Sequence, residues 1–244
     1  SLASREMIAN MIEIHANATP FDAGVYLASC DKGMPANLMG LFRVNIPAVV
    51  VPGGTMNAGP EMLTLEQLGM YSAQFERGEI DENRLNWAKH NACPSCGACS
   101  FIGTASTMQI MAETLGLALP GSALMPATSP DLLNYAREAG KQAVKLAKMD
   151  NMRPSDIVTM ESFENAILVH AAISGIRTAC SIFRRSPMNS GLRSQATPST
   201  DSTAVRNISS ISARQESGRQ SASTMRAVFR RSWRRSRISF TWMS

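Results

Sequence analysis

The chain has 244 residues, of which 44% are hydrophobic and 18% are charged, and its formal net charge is +5. This length accommodates one large domain or two small ones, and the lack of any run of 18 apolar residues argues against a membrane-spanning helix. The N-terminal segment has no basic start followed by an apolar stretch, so a secretory signal is not expected. Five cysteines, three of them crowded together, favour a reduced compartment and a metal or redox site over a disulfide scaffold.

Residues 1–175 alternate between helical and strand-like patterns, and Ser4 is the predicted N-cap of the first helix. The predicted elements are a helix at 4–16, a strand at 23–28, a helix beginning near 35, a strand at 46–51, and helices at 63–76, 81–90, 104–117, 130–149 and 163–174. Strands that alternate with helices predict an α/β fold with a parallel sheet flanked by helices. In such sheets ligands bind at the carboxyl ends of strands, where the two predicted strands lead into Cys30 and Gly53.

The triplet Cys30-Asp31-Lys32 follows the first predicted strand and is the first candidate site. A thiolate is a soft ligand that suits iron or zinc, whereas a carboxylate is a hard ligand that suits Mg²⁺ or Mn²⁺. The alternative is a core cysteine followed by a surface Asp and Lys. No dinucleotide-binding or P-loop fingerprint is present, so nucleotide-binding classes are not indicated.

The segment Cys93-Pro-Ser-Cys96-Gly-Ala-Cys99 is the second candidate site. Three cysteines at three-residue spacing are typical of iron–sulfur or zinc ligation. The ferredoxin pattern is disfavoured because it requires a fourth cysteine where Gly103 stands. A structural zinc site with His90 as a fourth ligand and a set of unliganded buried cysteines are the open alternatives.

The composition changes after Gly175. Residues 1–175 hold 11 Lys and Arg against 17 Asp and Glu, a net charge of −6, whereas residues 176–244 hold 13 Arg, no Lys and two acidic residues, a net charge of +11. This tail is rich in Ser and has no sustained periodicity, so we expect no packed domain there. Three interpretations of this tail are open. It can be a disordered terminus, or an Arg/Ser-rich arm that binds nucleic acid, with Trp233 and Trp242 available for stacking. The third interpretation is that it results from out-of-frame translation.

Taken together, the motifs resemble those of the dihydroxy-acid dehydratase and phosphogluconate dehydratase family, which includes sugar-acid dehydratases. Residues 30–40 satisfy the family signature C-D-K-x-x-P-[GA]-x-x-x-[GA] at every fixed position. Residues 45–56 resemble the strand and glycine turn that follow it, residues 93–121 resemble the second cysteine segment, and residues 1–6 resemble the family's S-L-x-S-R-E stretch. The resemblance covers residues 1–175 without a large gap, which implies a partial N-terminal α/β domain of this family.

The resemblance implies a hydro-lyase that removes water from a 2,3-dihydroxy acid, including sugar acids, and leaves a 2-keto acid. In the family an iron–sulfur cluster, 2Fe-2S or 4Fe-4S, acts as a Lewis acid on the departing hydroxyl, and Mg²⁺ holds the carboxylate and the C2 hydroxyl. By motif, Cys30 and Cys99 are the implied cluster ligands, Asp31 binds Mg²⁺, and Lys32 binds Mg²⁺ once it is carbamylated. Cys93 is then not a ligand, and neither is Cys96.

The resemblance also sets expectations about what the sequence lacks. The family's first cluster cysteine, a further Mg²⁺-binding aspartate and the C-terminal domain with the catalytic base have no counterpart, so no catalytic residue is assigned and we expect the chain alone to be inactive. Beyond Gly175 the family pattern stops, and a one-frame shift of codons allowed for 180–190 restores it, which favours out-of-frame translation as the origin of the tail.

The implied parent is a cytoplasmic homo-oligomer that acts on a small acid, with no membrane partner and no specific nucleic-acid partner. Two alternatives belong to other functional classes. One is a zinc-binding module built on residues 93–99. The other is a nucleic-acid-binding protein that acts through the Arg-rich tail.

Overall fold

The computed structural model describes residues 2–176, and the predictions about the tail lie outside this range. The strands are β1 (Gly24–Ala28) and β2 (Ala48–Pro52). The helices are α1 (Leu2–Ala18), α2 (Gly33–Val44), α3 (Leu68–Glu76), α4 (Glu82–Asn91), α5 (Thr104–Thr114), α6 (Pro130–Ala147), α7 (Pro154–Ile157) and α8 (Met160–Ala172). Short 3₁₀ turns span Pro60–Met62, Leu65–Gln67 and Ser122–Leu124.

The two strands form a parallel pair connected by α2, which confirms the predicted α/β class. Their register pairs Gly24 with Ala48 and Ala28 with Pro52, so both strands end at the same edge. On the other side of β2, a parallel bridge joins Val50 to Ala118, and the Val50 amide donates to the Leu117 carbonyl over 2.7 Å. Strand β2 is therefore the interior strand of the sheet.

Strand β2 is buried on both faces, as expected of a parallel strand covered by helices. Ala48 and Val50 belong to the main core, which α1, α2, α5 and α8 build with residues 117–118. Val49 and Val51 point to the opposite face and pack against α6. The alternation follows from the two-residue period of a strand, and it places β2 between two helical layers.

Helix α5 is the most deeply buried helix of the main core, because every residue from 105 to 113 is buried. It contacts α8 and α2, and Met108 and Met111 are among the largest fully buried side chains. The helix begins at Thr104, after the cysteine segment, and is followed by Gly116, whose φ of +80° suits the left-handed end of a helix. The N-terminus of α5 consequently lies next to the candidate site.

Several predicted helix starts differ from the structure, among them that of α8, which begins at Met160 and not at 163 because Thr159 caps it. Helix α1 begins at Leu2, so Ser4 is not its N-cap; no Gly or Pro precedes Ser4 to stop the helix from extending. The predicted helix over 63–76 begins instead as a 3₁₀ turn at Leu65–Gln67 and continues as α3 from Leu68. At the start of the turn, the Gln67 side chain accepts a hydrogen bond from the Thr64 amide. In the described range, no helix combines the length and apolar character that a membrane crossing requires.

Candidate active site

The site forms at the edge where both parallel strands end. Cys30, Asp31 and Lys32 form the turn between β1 and α2, and Gly53 and Gly54 follow β2. The Gly53 amide donates to the Ala28 carbonyl over 2.8 Å, which joins the two turns directly. The parallel register thus brings the first predicted site beside the glycine turn, as the sequence predicted.

The cysteine segment is held against the same glycine turn by backbone hydrogen bonds. The Met56 amide donates to the Ala98 carbonyl over 2.7 Å, and the Ala98 amide donates to the Gly54 carbonyl over 3.0 Å. On the other side of the turn, the Ala127 amide donates to the Thr55 carbonyl over 2.8 Å. The turn after β2 is therefore paired on both sides, and one of its partners leads directly into Cys99.

Two glycines allow this close approach of backbones. Gly97 has a φ of +115°, and a Cβ there would lie 2.6 Å from the Met56 nitrogen. Gly54 has a φ of +77°, and a Cβ there would lie 2.7 Å from the Ala127 nitrogen. A side chain at either position would meet both backbone strain and a steric clash with main-chain atoms.

In the structure, Cys30 lies close enough to Cys99 to affect the pKa of the Cys99 thiol. Burial raises the pKa of the Cys99 thiol, and the nearby Cys30 raises it further, with smaller contributions from Cys93 and Glu66. Cys99 is half-buried, whereas Cys30 is exposed. Two thiols that are distant in sequence therefore lie within electrostatic range of each other at the edge of the sheet.

Asp31 and Lys32 form an ion pair beside the start of α5. Lys32 Nζ donates to Asp31 Oδ2, and both side chains are partly exposed. Burial raises the pKa of the Asp31 carboxyl, but hydrogen bonds from Lys32 and from Thr104 outweigh it and leave this pKa below its ordinary value. Asp31 is thus held as a carboxylate next to the N-termini of α2 and α5, where helix dipoles favour a negative charge.

Three residues at this site did not emerge from the sequence. Thr104 contacts Asp31, Glu66 influences Cys99, and the buried Gln109 donates from Nε2 to the Ser29 carbonyl over 2.8 Å. The one available signal was that Gln109 is polar within an otherwise apolar stretch of helix. Nothing local predicts that its partner is Ser29, because the contact depends on how α5 packs against the end of β1.

The remaining candidate ligands are placed differently. Cys93 and Cys96 are exposed, so the interpretation of this segment as buried cysteines is wrong for both, and the exposed Cys30 is not a core residue either. His90 lies exposed near the end of α4. Within residues 2–176, no three His, Cys, Asp or Glu side chains are arranged as a metal-binding group, so the zinc alternative finds no preformed site there.

The donor set still fits the chemistry of the implied cofactors. Cys30 and Cys99 offer two soft thiols for iron at this edge of the sheet, and Asp31 offers a hard carboxylate for Mg²⁺ next to Cys30 in the chain. Among residues 2–176, no third His, Cys, Asp or Glu side chain completes a metal-binding group.

Comparison with known proteins agrees with this arrangement. The sequence profile described as "Dihydroxy-acid/6-phosphogluconate dehydratase N-terminal" matches residues 1–179. A dihydroxy-acid dehydratase of Solidesulfovibrio magneticus is 44% identical over 176 residues, which are 71% of this chain and 31% of that protein. Proteins of the same name from Moorella thermoacetica and Caldicellulosiruptor bescii are 42% and 43% identical, over 74% and 72% of this chain and 33% and 32% of their own lengths. The chain thus spans about a third of the length of these curated relatives.

Proposed function

Because the chain belongs to the dihydroxy-acid/6-phosphogluconate dehydratase family, we propose that it carries part of the active site of a hydro-lyase that dehydrates a 2,3-dihydroxy acid. The reaction removes the hydroxyl from C3 and the proton from C2, and the resulting enol becomes a 2-keto acid. The relatives are named dihydroxy-acid dehydratases, and we propose the same activity for the enzyme to which this chain contributes.

We assign Cys30 and Cys99 to an iron–sulfur cluster and Asp31 and Lys32 to Mg²⁺. When bound, the cluster and Mg²⁺ supply Lewis-acid chemistry for the departing hydroxyl and fix the substrate carboxylate. The observation that carries the proposal is that backbone hydrogen bonds hold both the Cys30-Asp31-Lys32 turn and the segment of Cys99 against the glycine turn at the end of the parallel strands.

The residues of this chain prepare the site in ways that need no bound group. Thr104 and Lys32 hold Asp31 ionised, which keeps a hard anionic ligand available at neutral pH. The first amides of α2 and α5 have no partner within their own helices and therefore favour an anion near this edge. A dihydroxy acid, which carries a carboxylate, suits this positive end of two helices.

Lys32 occupies the N-cap position of α2, where a positive charge is disfavoured and a negative one is stabilised. Carbamylation replaces the positive charge of Lys32 with a negative one. The neutral amine attacks the carbon of CO₂, so that a C–N bond forms and one C–O π bond breaks, and a proton leaves to solvent. The product is an anionic carbamate whose oxygens can coordinate Mg²⁺, which an ammonium group cannot. The position of Lys32 at a helix N-terminus supports this modification.

A chimera tests the proposal. Residues 1–176 of this chain replace the matching region of the Solidesulfovibrio magneticus relative, and 2-keto acid formation is measured with branched-chain dihydroxy acids and with sugar acids. We expect turnover with at least one of these two substrate groups. The stretches at 103–108 and 119–126 resemble sugar-acid dehydratases somewhat more closely, so both groups belong in the panel. A chimera that folds and binds iron but forms no 2-keto acid would contradict the proposed function.

Single substitutions in the chimera separate the assigned cysteines from their neighbours. Cys30→Ser and Cys99→Ser each remove an assigned thiol, and we expect turnover to fall by at least about 100-fold. Cys96→Ser is the matched control, because Cys96 is an exposed cysteine of the same segment, and we expect turnover within about twofold of the unsubstituted chimera. Equal losses for Cys96→Ser and Cys99→Ser would overturn the assignment.

A further inference from the structure

Three consecutive carbonyl groups before and within the Cys30 turn each accept one hydrogen bond from a different element. The Ala28 carbonyl accepts from the Gly53 amide after β2, and the Cys30 carbonyl accepts from the Met34 amide in α2 over 2.9 Å. Between them, the Ser29 carbonyl accepts from Gln109 Nε2 in α5. Only this middle hydrogen bond comes from a side chain, so it is the one that a substitution can remove.

The amide orientation of Gln109 follows from its partner. A carbonyl oxygen can only accept, so the group that faces the Ser29 carbonyl must be the NH₂ group. Gln109 is fully buried, and its Oε1 has no hydrogen-bond partner among residues 2–176. A buried acceptor without a partner costs free energy, and a methionine of similar length would fill the same space without that cost. Packing alone therefore gives no reason for a glutamine at this position.

The same helix holds the turn at a second point. Thr104, the first residue of α5, lies close enough to Asp31, two residues beyond Ser29, to lower the pKa of its carboxyl. Gln109 lies farther along the helix and reaches the turn from within the core. Helix α5 therefore meets the turn at its N-terminus and, through the Gln109 hydrogen bond, again from within the core.

We propose that Gln109 is a positioning residue: its hydrogen bond to Ser29 fixes the peptide that carries Cys30 relative to α5, and so sets the spacing between the Cys30 thiol, the Asp31 carboxyl and Cys99. Its importance for the reaction rests on the proposed function. Its anchoring of the turn does not, and the two can be tested separately.

The test uses the complete 244-residue chain without added metal. Gln109→Met keeps the length and removes the donor, and amide hydrogen exchange is followed by mass spectrometry in peptides that cover 28–34. We expect exchange there to rise about tenfold, because a local hydrogen bond that restrains the turn has been lost. Alkylation of Cys30 by iodoacetamide, normalised to the exposed Cys96, should change at least threefold.

Gln142→Met is the matched control. Gln142 is a second buried glutamine, it lies on α6 in the opposite helical layer, and its Nε2 has no hydrogen-bond partner among the described residues. We expect this variant to leave exchange in 28–34 and the Cys30 alkylation ratio unchanged. Should Gln109→Met fail to fold, Gln109→Asn removes the same contact by shortening the side chain while keeping an amide, and the same local loosening is expected.

Two results would overturn the inference. One is that amide hydrogen exchange in residues 28–34 of the Gln109→Met variant stays at the wild-type rate. The other is that the exchange rate rises equally in all core peptides, which would make Gln109 an ordinary core residue. The proposed function fails or succeeds independently, through 2-keto acid formation by the chimera. In an active chimera, Gln109→Met should lower bound iron per chain at least twofold, whereas Gln142→Met should not.

Discussion

At the scale of single residues, the site depends on main-chain groups that come unusually close together. Gly97 and Gly54 each have a positive φ, and each leaves less than 3 Å between a hypothetical Cβ and neighbouring backbone atoms. These glycines let the segment that carries Cys99 pair with the turn after β2. Because a side chain at either position would meet main-chain atoms, the effect of substituting them should be visible in the stability of the fold.

Substituting Gly97 should destabilise the chain by more than the loss of a flexible backbone. For Gly97→Ala we expect the free energy of unfolding to fall by about 2 kcal/mol or more, since the new Cβ meets backbone atoms that cannot move aside. Gly78→Ala is the control: Gly78 has a φ of +71° but open space around it, so only the backbone strain of about 1 kcal/mol is expected. Urea unfolding of both variants measures the difference, and equal losses would show that the close approach to Met56 carries no cost.

Glu113 holds the loop that follows α5 from within the core. Its Oε1 accepts from the Gly121 amide over 2.7 Å, and its Oε2 accepts from the Ala123 amide over 2.9 Å. Burial raises the pKa of this carboxyl above its ordinary value of 4.5, against the opposing effect of the two amide hydrogen bonds. A single buried side chain thus satisfies two amides of a tight turn.

Glu113→Gln should destabilise the chain in a pH-dependent manner. The amide has one oxygen, so one backbone N–H loses its acceptor, and we expect a cost of about 1–3 kcal/mol. Because the folded-state pKa is raised, the stability of the wild type falls as pH rises from 4.5 through that pKa, while the variant does not share this dependence. The difference between the two proteins should therefore be largest below pH 4.5 and smaller at neutral pH. Urea unfolding at several pH values checks this, and a difference that grows with pH would contradict it.

At the scale of elements, α6 shows how one amphipathic helix completes the layer on the far face of β2. Its buried residues are Ala139, Gln142, Ala143 and Leu146, which recur at the spacing of one helical face. Ser129 caps the helix by accepting from the Asp131 amide, and Pro130 occupies the first turn. The capping residues and the apolar stripe both indicate a helix over the same residues. For this reason the sequence predicted the helix to within two residues of its observed end.

A pair of leucines on α6 gives a test of the layer arrangement. Leu146 is 1% exposed and packs in the cluster with Val49 and Val51, so Leu146→Ala should lower the free energy of unfolding by about 2–4 kcal/mol. Leu133 lies on the same helix but is 62% exposed, and Leu133→Ala should change stability by no more than about 0.5 kcal/mol. Thermal or urea unfolding distinguishes the two, and similar values would mean that α6 does not pack on β2 through Leu146.

At the scale of the whole molecule, the net charge of +5 is a sum of two unlike parts. The residues up to 175 carry −6 and contain all the candidate ligands, whereas the remaining residues carry +11. The overall basic charge therefore says nothing about the partners of residues 1–175. The proposed functional site lies where the two strands, the glycine turn and the cysteine segment meet.

The proximity of Cys30 to Cys99 can be tested in solution. In a Cys93→Ser/Cys96→Ser variant, we expect a short bis-alkylating reagent such as dibromobimane to link the peptide with Cys30 to the peptide with Cys99, because Cys30 lies close enough to raise the pKa of the Cys99 thiol. Mass spectrometry of the digest identifies the link. A linked product that forms equally well in urea, or no link in the folded chain, would show that the two thiols are not held together.

The sequence by itself determined the elements and the location of the first candidate site. Helical spacing, caps and β-branched runs are local properties, so they predicted the α/β class and placed Cys30 at the end of β1. The sequence analysis missed the short helix α7 and the 3₁₀ turns, and it misplaced helix ends such as the start of α1, where no local signal stops the helix.

The tertiary structure decided which distant residues meet. The pairing of Ala98 with the turn after β2, the contact of Thr104 with Asp31 and the hydrogen bond from Gln109 to Ser29 all join segments far apart in the chain. Their partners depend on how α5 and the parallel strands pack, and packing is a property of the whole core that no local pattern encodes. For that reason the sequence named the candidate ligands one by one, and only the fold assembled them into a site.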